Sequence, residues 1–130
     1  MTEKGHIKLI DFNIAKNNFS KSQLTYTLIG NVEYFAPEQI SKNGYGYSVD
    51  FWQYTVLLYE LFYGYTAFVG KTNLETYSNI LHGSYNFSLH NFIGHKISRP
   101  FKLFITALFQ IHVTARLGNG VVHIPKISMK

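Results

Sequence analysis

The longest apolar run of the chain predicts its central helix. From Val49 to Tyr63 the apolar residues cover every face of a helix, with Ser48 placed for an N-cap and Gly64 for a C-terminal stop. A helix that is apolar all round lies in the middle of a core or in a membrane. Asp50 and the short length of the run argue against a membrane. The pattern therefore predicts a core helix.

Two shorter elements are predicted before this helix. Residues 6–11 alternate between polar and apolar side chains, which indicates a short strand with Ile7 and Leu9 on one face. Pro37 suits the first turn of a helix because its ring fixes φ and its missing N–H is not needed there. We therefore expect a short helix from Pro37 through about Ile40.

Two further helices are predicted downstream. The first spans residues 74–81, with Thr72 or Asn73 as N-cap and Gly83 as its stop. The second spans residues 101–111 and follows a proline. Its predicted apolar stripe consists of Leu103, Phe104, Ala107 and Leu108.

The composition is that of one folded unit with unusually few charges. The 130 residues are 46% apolar and 17% aromatic but only 15% charged, against ~25% in typical soluble domains. Some apolar surface is therefore expected to face a partner. The absence of cysteine excludes a disulfide scaffold and a thiolate zinc site. Without a secretory signal or an apolar run of ~20 residues, we expect a cytoplasmic protein with no membrane span.

The charge distribution argues against nucleic-acid binding. The net charge is +5, and all seven acidic residues lie in residues 1–75. Residues 76–130 carry six basic side chains and no acidic one, but these cations are dispersed, and nucleic-acid surfaces cluster theirs. The six histidines show no metal-ligand spacing. We therefore expect neither a nucleic-acid partner nor a histidine metal site.

Four motifs occur in the order, and at close to the spacing, of protein kinases. They are Asp-Phe-Asn at 11–13, Gly-Asn-Val-Glu-Tyr-Phe-Ala-Pro-Glu at 30–38, Tyr-Ser-Val-Asp-Phe-Trp with Leu-Leu-Tyr-Glu-Leu at 47–61, and Arg-Leu-Gly-Asn at 116–119. The chain resembles the later part of a eukaryotic Ser/Thr protein kinase catalytic domain of the AGC group. Residues 76–83 and 116–119 are most similar to the cGMP-dependent branch.

The resemblance implies a fold and a division of the chain. The fold is the α+β protein kinase fold, of which this chain would be the mainly helical C-lobe part with a short β segment at its N-terminus. Residues 1–130 would form a partial kinase domain. It would consist of an activation segment at 11–38, C-lobe helices at about 39–118 and a weakly structured tail at 119–130.

The resemblance also assigns site residues. Asp11 matches the carboxylate that holds Mg²⁺ against the ATP phosphates, although taken alone it is an acid at the end of a strand. Thr27 matches the activation-loop phosphosite and Lys16 a phosphate-pairing lysine; an unmodified loop threonine is the alternative. Glu60 matches the acid that grips an arginine of the substrate. The matched floor of the substrate site consists of Leu28, Ile29, Val32 and Phe35.

Four more matches are structural. Glu38 and Arg116 match a buried ion pair that ties the activation segment to the lobe. Asp50 matches the acid at a helix start that braces the catalytic-loop backbone, and Trp52 lies on the same helix. An unpaired buried carboxylate or guanidinium is costly, so the two members of the ion pair are expected to depend on each other.

The motifs that bind nucleotide and catalyse transfer do not occur in these 130 residues. There is no Gly-x-Gly-x-x-Gly, no Val-Ala-Ile-Lys and no His-Arg-Asp, and no catalytic residue is assigned. We expect a kinase-domain fragment that is inactive alone, whereas the full-length family uses ATP and Mg²⁺. Its partners would be protein substrates with basic residues near Ser or Thr, or another kinase chain. The alternative is a pseudokinase-like binding module, because Asn13 and Asn31 replace the usual glycine and threonine.

Overall fold

The computed structural model describes residues 3–20, 22–87 and 97–119, and the regular elements of these ranges are all helical. Two single 3-10 turns accompany four α-helices. In chain order the elements are a first 3-10 turn Val32–Tyr34, α1 Pro37–Ile40, α2 Ser48–Tyr63, α3 Asn73–His82, α4 Arg99–Leu108 and a second 3-10 turn Val113–Ala115. No helix within these ranges is both long and apolar enough to cross a membrane.

Helix α2 is the predicted core helix, and it is buried on one side. Its inward residues are spaced by three or four positions, as one face of a helix requires. They are Trp52, Val56, Tyr59 and Tyr63. The opposite face carries apolar residues that are 36% to 59% exposed within the described chain, namely Phe51, Tyr54, Leu57 and Leu61. The prediction of a core helix is therefore confirmed for one face of α2. For the opposite face, which stays exposed in the described chain, it is wrong.

The two ends of α2 differ in how well the sequence predicts them. Gly64 adopts a left-handed conformation (φ 79°), and its N–H reaches the Glu60 carbonyl at 2.7 Å, as expected of a helix stop. The predicted N-cap is wrong, because Tyr47 occupies the cap and Ser48 is the first helical residue. The Ser48 hydroxyl donates to the Glu38 carboxylate at 3.3 Å instead of capping the helix.

Helix α3 follows its sequence signals. The Thr72 hydroxyl accepts a hydrogen bond from the Glu75 N–H at 3.2 Å, so Thr72 rather than Asn73 is the cap. Gly83 ends the helix in a left-handed conformation (φ 63°). Ile80 is fully buried and belongs to the same core as α2. Helix α3 therefore packs on the same side of the core as the buried face of α2.

Helix α4 is displaced from its predicted position. It begins at Arg99 because the Ser98 side chain caps the Phe101 N–H at 3.3 Å, and it ends at Leu108. The predicted stripe is wrong in part. Leu108 is buried, but Leu103 and Phe104 are 52% and 40% exposed, and the buried partner on α4 is Ile105. Helix α4 is in contact with α2, and its buried residues are Ile105 and Leu108, so its buried face is rotated from the predicted stripe.

The predicted N-terminal strand is not present. Residues 6–11 have no regular structure, and Ile7 and Leu9 are 82% and 84% exposed. A strand exists only when a second strand pairs with its N–H and C=O groups, and none pairs with this segment among the described residues. The β-type pairing in the described chain is one antiparallel bridge between Thr25 and Tyr45, with two N–H to O distances of 2.9 Å.

Gly118 packs closely against the Phe51 ring near the C-terminal end of the described chain. It has φ +95°, and a Cβ at this position would lie 2.7 Å from a ring carbon of Phe51. We expect Gly118→Ala to lower the free energy of unfolding by about 1–3 kcal/mol, because alanine strains the backbone and displaces the ring. Urea denaturation followed by circular dichroism measures this loss.

Gly46→Ala is the matched control. The nearest atom to a Cβ there is the Gln23 carbonyl oxygen at 3.6 Å, an ordinary contact, and no left-handed φ is required. We expect this variant to stay within about 0.5 kcal/mol of the parent. Equal losses at Gly46 and Gly118 would show that the contact with Phe51 is unimportant.

Candidate functional site

A buried ion pair joins α1 to the C-terminal end of the described chain. Arg116 donates from Nη1 to Glu38 Oε1 at 2.6 Å and from Nη2 to Glu38 Oε2 at 2.9 Å. The Arg116 side chain is fully buried, so its other donors need partners. Nε reaches the Gln110 carbonyl at 3.0 Å and Nη1 also reaches the Ser48 carbonyl at 3.2 Å. The structure thus brings together the two residues that the motifs pair.

Trp52 packs against the same arginine. The Arg116 guanidinium carbon lies 5.0 Å from the Trp52 ring centroid, a cation–π distance. The indole also stacks on the Phe68 ring, with the two ring centroids 5.2 Å apart. It packs at a tilt against the Phe109 ring, whose centroid lies 5.0 Å away. The Trp52 side chain is therefore the link between the ion pair and the aromatic core.

Asp50 lies at the rim of an apolar groove between α2 and α4. The groove has a volume of about 300 Å³, and its other lining residues are Phe51, Tyr54, Phe104, Leu108, Leu117 and Gly118. Partial burial raises the pKa of the Asp50 carboxyl above its ordinary value. The Asp50 carboxylate has no hydrogen-bond partner among the described residues. The catalytic-loop motif that it is predicted to brace does not occur in this sequence.

Glu60 and Glu33 form the second polar centre, beside the first 3-10 turn. The Tyr34 hydroxyl donates to Glu60 Oε2, and the Thr66 hydroxyl donates to Glu33 Oε2 at 2.7 Å. The Asn31 side chain accepts from the Glu33 N–H at 3.2 Å and caps the turn. Neither carboxylate forms an ion pair with a residue of the described ranges. Their negative charge is therefore not compensated there.

The pKa of the Tyr34 phenol is raised by its burial and by the two neighbouring carboxylates. Burial raises the pKa of Tyr34 to about 12, with further contributions from the hydrogen bond to Glu60 and from the charges of Glu60 and Glu33. A negative charge near a phenol opposes its ionisation. The Tyr34 hydroxyl therefore stays protonated and remains a donor to Glu60 throughout the neutral pH range.

The predicted substrate floor is divided between the surface and the core. Leu28 and Ile29 are 44% and 52% exposed, and Val32 is half-buried in the first 3-10 turn. Phe35 is only 4% exposed and lies in the core. The exposed apolar positions of this segment therefore precede the turn, and the buried Phe35 follows it and caps its C-terminal end through its N–H.

Asp11, Lys16 and Thr27 lie on the surface. Asp11 has a left-handed backbone (φ 65°), and its side chain is exposed. No hydrogen bond or ion pair joins Lys16 to Thr27 within the described chain, and the Thr27 carbonyl accepts from the Tyr45 hydroxyl. The structure therefore does not bring these three side chains into one cluster.

The donor set for a metal ion is incomplete in the described residues. Mg²⁺ takes six oxygen ligands, usually one or two carboxylates with phosphates and water. Asp11 supplies one such carboxylate, but the described ranges contain no group of three or more His, Cys, Asp or Glu side chains that could hold a metal. The residues present therefore fit one ligand of a magnesium ion and do not form a complete site.

Sequence reasoning missed the hydroxyl donors to the two carboxylates. Tyr34 lies inside a recognised motif, but it stands 26 residues from Glu60, and the order of the motifs does not show that the two side chains meet. Thr66 carries no signal either, because it stands 33 residues from Glu33 and only the fold brings them together. The Ser48 hydroxyl likewise bonds a residue outside its own helix, Glu38, which no local signal indicates.

Comparisons with known proteins agree with the motifs. The model of the protein kinase domain matches residues 1–126. The chain is 35% identical over 121 residues to ribosomal protein S6 kinase 2 beta of Xenopus laevis, covering 93% of this chain and 18% of the relative. It is 35% identical over 120 residues to human ribosomal protein S6 kinase alpha-1, covering 92% and 16%.

A yeast relative matches more closely over a shorter stretch. The chain is 42% identical over 87 residues to cAMP-dependent protein kinase type 3 of Saccharomyces cerevisiae, covering 67% of this chain and 21% of the relative. The chain spans about a fifth or less of the length of these curated relatives. With its ordered motifs, its helical fold and a family match over nearly its whole length, the chain belongs to the protein kinase domain family.

Proposed function

We propose that this chain is the substrate-facing part of an AGC-group Ser/Thr protein kinase domain, which binds basic peptides but does not transfer phosphate by itself. One observation carries the proposal: the end of the predicted activation segment is fixed onto α2 at two points. The Tyr34 hydroxyl donates to Glu60, and the Ser48 hydroxyl donates to Glu38 at 3.3 Å. Arg116 also donates to Glu38 and strengthens the second point. A surface fixed in this way is preorganised for a partner.

Glu60 is the residue that would recognise the peptide. Its carboxylate is half-buried, accepts a hydrogen bond from a neutral phenol and has no cation partner among the described residues. An arginine of the peptide would supply that cation through charge-assisted hydrogen bonds, which are about twice as strong as neutral ones. Leu28, Ile29 and Val32 would contact the apolar residue that follows the Ser or Thr.

The remaining site residues have roles in the complete domain. Asp11 would hold Mg²⁺, Thr27 would be the phosphosite and Lys16 would pair with its phosphate, whereas Asp50 would brace the catalytic loop. Protein kinases use ATP and Mg²⁺, and we propose that this chain alone binds neither, because the phosphate-binding and catalytic motifs do not occur in its sequence. A cytoplasmic location is part of the proposal.

A peptide assay tests both halves of the proposal. The purified 130-residue chain is mixed with a serine peptide that carries arginine before the serine, first to measure affinity and then, with ATP and Mg²⁺, phosphorylation. We expect saturable binding that weakens about tenfold or more when arginine is replaced by citrulline, since that change removes the charge paired with Glu60. We expect no phosphate transfer above a reaction without protein.

Glu60→Gln is the informative variant, and Glu75→Gln is its control. Glu75 is an exposed acid of α3 whose carboxylate accepts from the Lys71 N–H and shares no hydrogen bond with Glu60 or Tyr34. Only Glu60→Gln should abolish the preference for arginine over citrulline. Phosphate transfer by the purified chain, or equal losses in both variants, would reject the proposal.

A pseudokinase-like binding module is the second candidate, favoured by Asn13 and Asn31. Asn31 accepts from the Glu33 N–H as a cap of the first 3-10 turn, which is a structural role that needs no catalysis. Such a module would bind another folded kinase domain without discriminating arginine from citrulline in peptides. The finer relation to the cGMP-dependent branch, which rests on residues 76–83 and 116–119, is also a proposal.

A further inference from the structure

Neutral donors hold both carboxylates beside the first 3-10 turn. Thr66 donates to Glu33 at 2.7 Å, and Tyr34 donates to Glu60. A hydroxyl satisfies a lone pair of a carboxylate without cancelling its charge, whereas a lysine or an arginine would do both. The contacts therefore fix the two side chains and leave their negative charges uncompensated within the described chain.

Thr66 is the anchor of this arrangement. Thr66 lies in the connection between α2 and α3, and it is only 4% exposed. The local hydrogen bonds of the first 3-10 turn run from the Tyr34 N–H to the Asn31 carbonyl and from the Phe35 N–H to the Val32 carbonyl, both at 3.1 Å, and these bonds shape the turn without tying it to another element. The bond from Thr66 to Glu33 is a tertiary contact that holds this turn against the body of the domain.

The first 3-10 turn also determines the position of the Tyr34 hydroxyl, which is the donor to Glu60. Glu33 and Tyr34 are adjacent residues of one short turn, so fixing the first limits where the phenol of the second can lie. The raised pKa of Tyr34, to which the charges of both carboxylates contribute, agrees with this proximity. Thr66 is therefore linked to Glu60 only indirectly, through Glu33 and Tyr34.

We propose that Thr66 is a positioning residue for the Glu60 carboxylate, acting through Glu33 and Tyr34, and that it thereby sets the preference for a basic side chain in the bound peptide. The inference rests on the peptide recognition proposed above. A carboxylate that is already oriented loses less side-chain freedom when an arginine binds it. Loss of the Thr66 hydroxyl is therefore expected to weaken arginine binding and to leave the neutral contacts intact.

The test compares two peptides on the full 130-residue chain. Fluorescence anisotropy gives the Kd of an arginine-containing serine peptide and of the same peptide with citrulline in place of arginine. We expect Thr66→Val to reduce the ratio of the two Kd values about three- to tenfold by weakening the arginine peptide alone. Thr66→Ser, which keeps the hydroxyl, should retain the parent ratio.

Thr55→Val is the matched control. Thr55 is fully buried on α2, and its hydroxyl donates to the Phe51 carbonyl of the same helix at 2.6 Å, so it contacts no carboxylate. This variant also exchanges a buried hydroxyl for a methyl group. It should keep the parent ratio of Kd values, which separates the effect of the Glu33 contact from a general loss of stability.

The outcomes separate the inference from the proposed function. A parent chain with no preference for arginine rejects the peptide recognition and the inference with it. A parent preference that Thr66→Val retains rejects the inference alone. Should Thr66→Val fail to fold, Thr66→Ala removes the same hydroxyl donor to Glu33 with a smaller side chain. A lowered ratio in Thr66→Ala supports the inference, and an unchanged ratio overturns it.

Discussion

Arg116→Met should cost about 3–5 kcal/mol of the free energy of unfolding. The substitution removes both hydrogen bonds from Arg116 to Glu38 and leaves a carboxylate whose side chain is only 9% exposed without its cation. It also removes the donors to the Gln110 and Ser48 carbonyls. Since domains of this size are stable by only ~5–15 kcal/mol, the loss is a large fraction of the total. Urea denaturation followed by circular dichroism measures it.

Arg99→Met provides the control for the arginine prediction. Arg99 is an exposed residue at the start of α4, so its loss should change stability by no more than about 0.5 kcal/mol. The double variant Glu38→Gln, Arg116→Met should be more stable than Arg116→Met, because it removes the unpaired charge. The ion pair would have no structural role if Arg116→Met and Arg99→Met unfolded at the same urea concentration.

Trp52→Ala should lower the free energy of unfolding by about 3–5 kcal/mol. Trp52 is 0% exposed and packs against Phe68, Phe109 and the Arg116 guanidinium, so its removal leaves a large cavity at the middle of the core. Thermal and urea denaturation monitored by circular dichroism measure the effect, because the variant lacks the single tryptophan of the chain.

Two further variants refine this prediction. Trp52→Phe should lose less than Trp52→Ala, because a ring remains and because the indole Nε1 is buried without a hydrogen-bond partner in the described chain. Leu103→Ala removes an apolar side chain of α4 that is 52% exposed, and it should cost far less than Trp52→Ala. Comparable losses for Leu103→Ala and Trp52→Ala would contradict the central place of Trp52.

Local sequence signals predict the helices better than their exact ends. The stops of α2 and α3 at Gly64 and Gly83 follow from glycine's tolerance of positive φ. The start of α2 does not follow from local signals, because the Ser48 hydroxyl is recruited by Glu38, ten residues away. The division into an activation segment, helices and a tail stays a prediction, and residues 120–130 of the tail lie outside the described ranges.

The sequence by itself determined the family, because motif order and spacing survive whatever the packing does, and it determined the helical core, because apolar runs and glycine stops act locally. Only the tertiary structure decided which face of α2 is buried, that residues 6–11 find no strand partner among the described residues, and that Thr66 reaches Glu33. These features join residues far apart in the chain. Contacts of that kind depend on how whole elements pack, which no local pattern encodes.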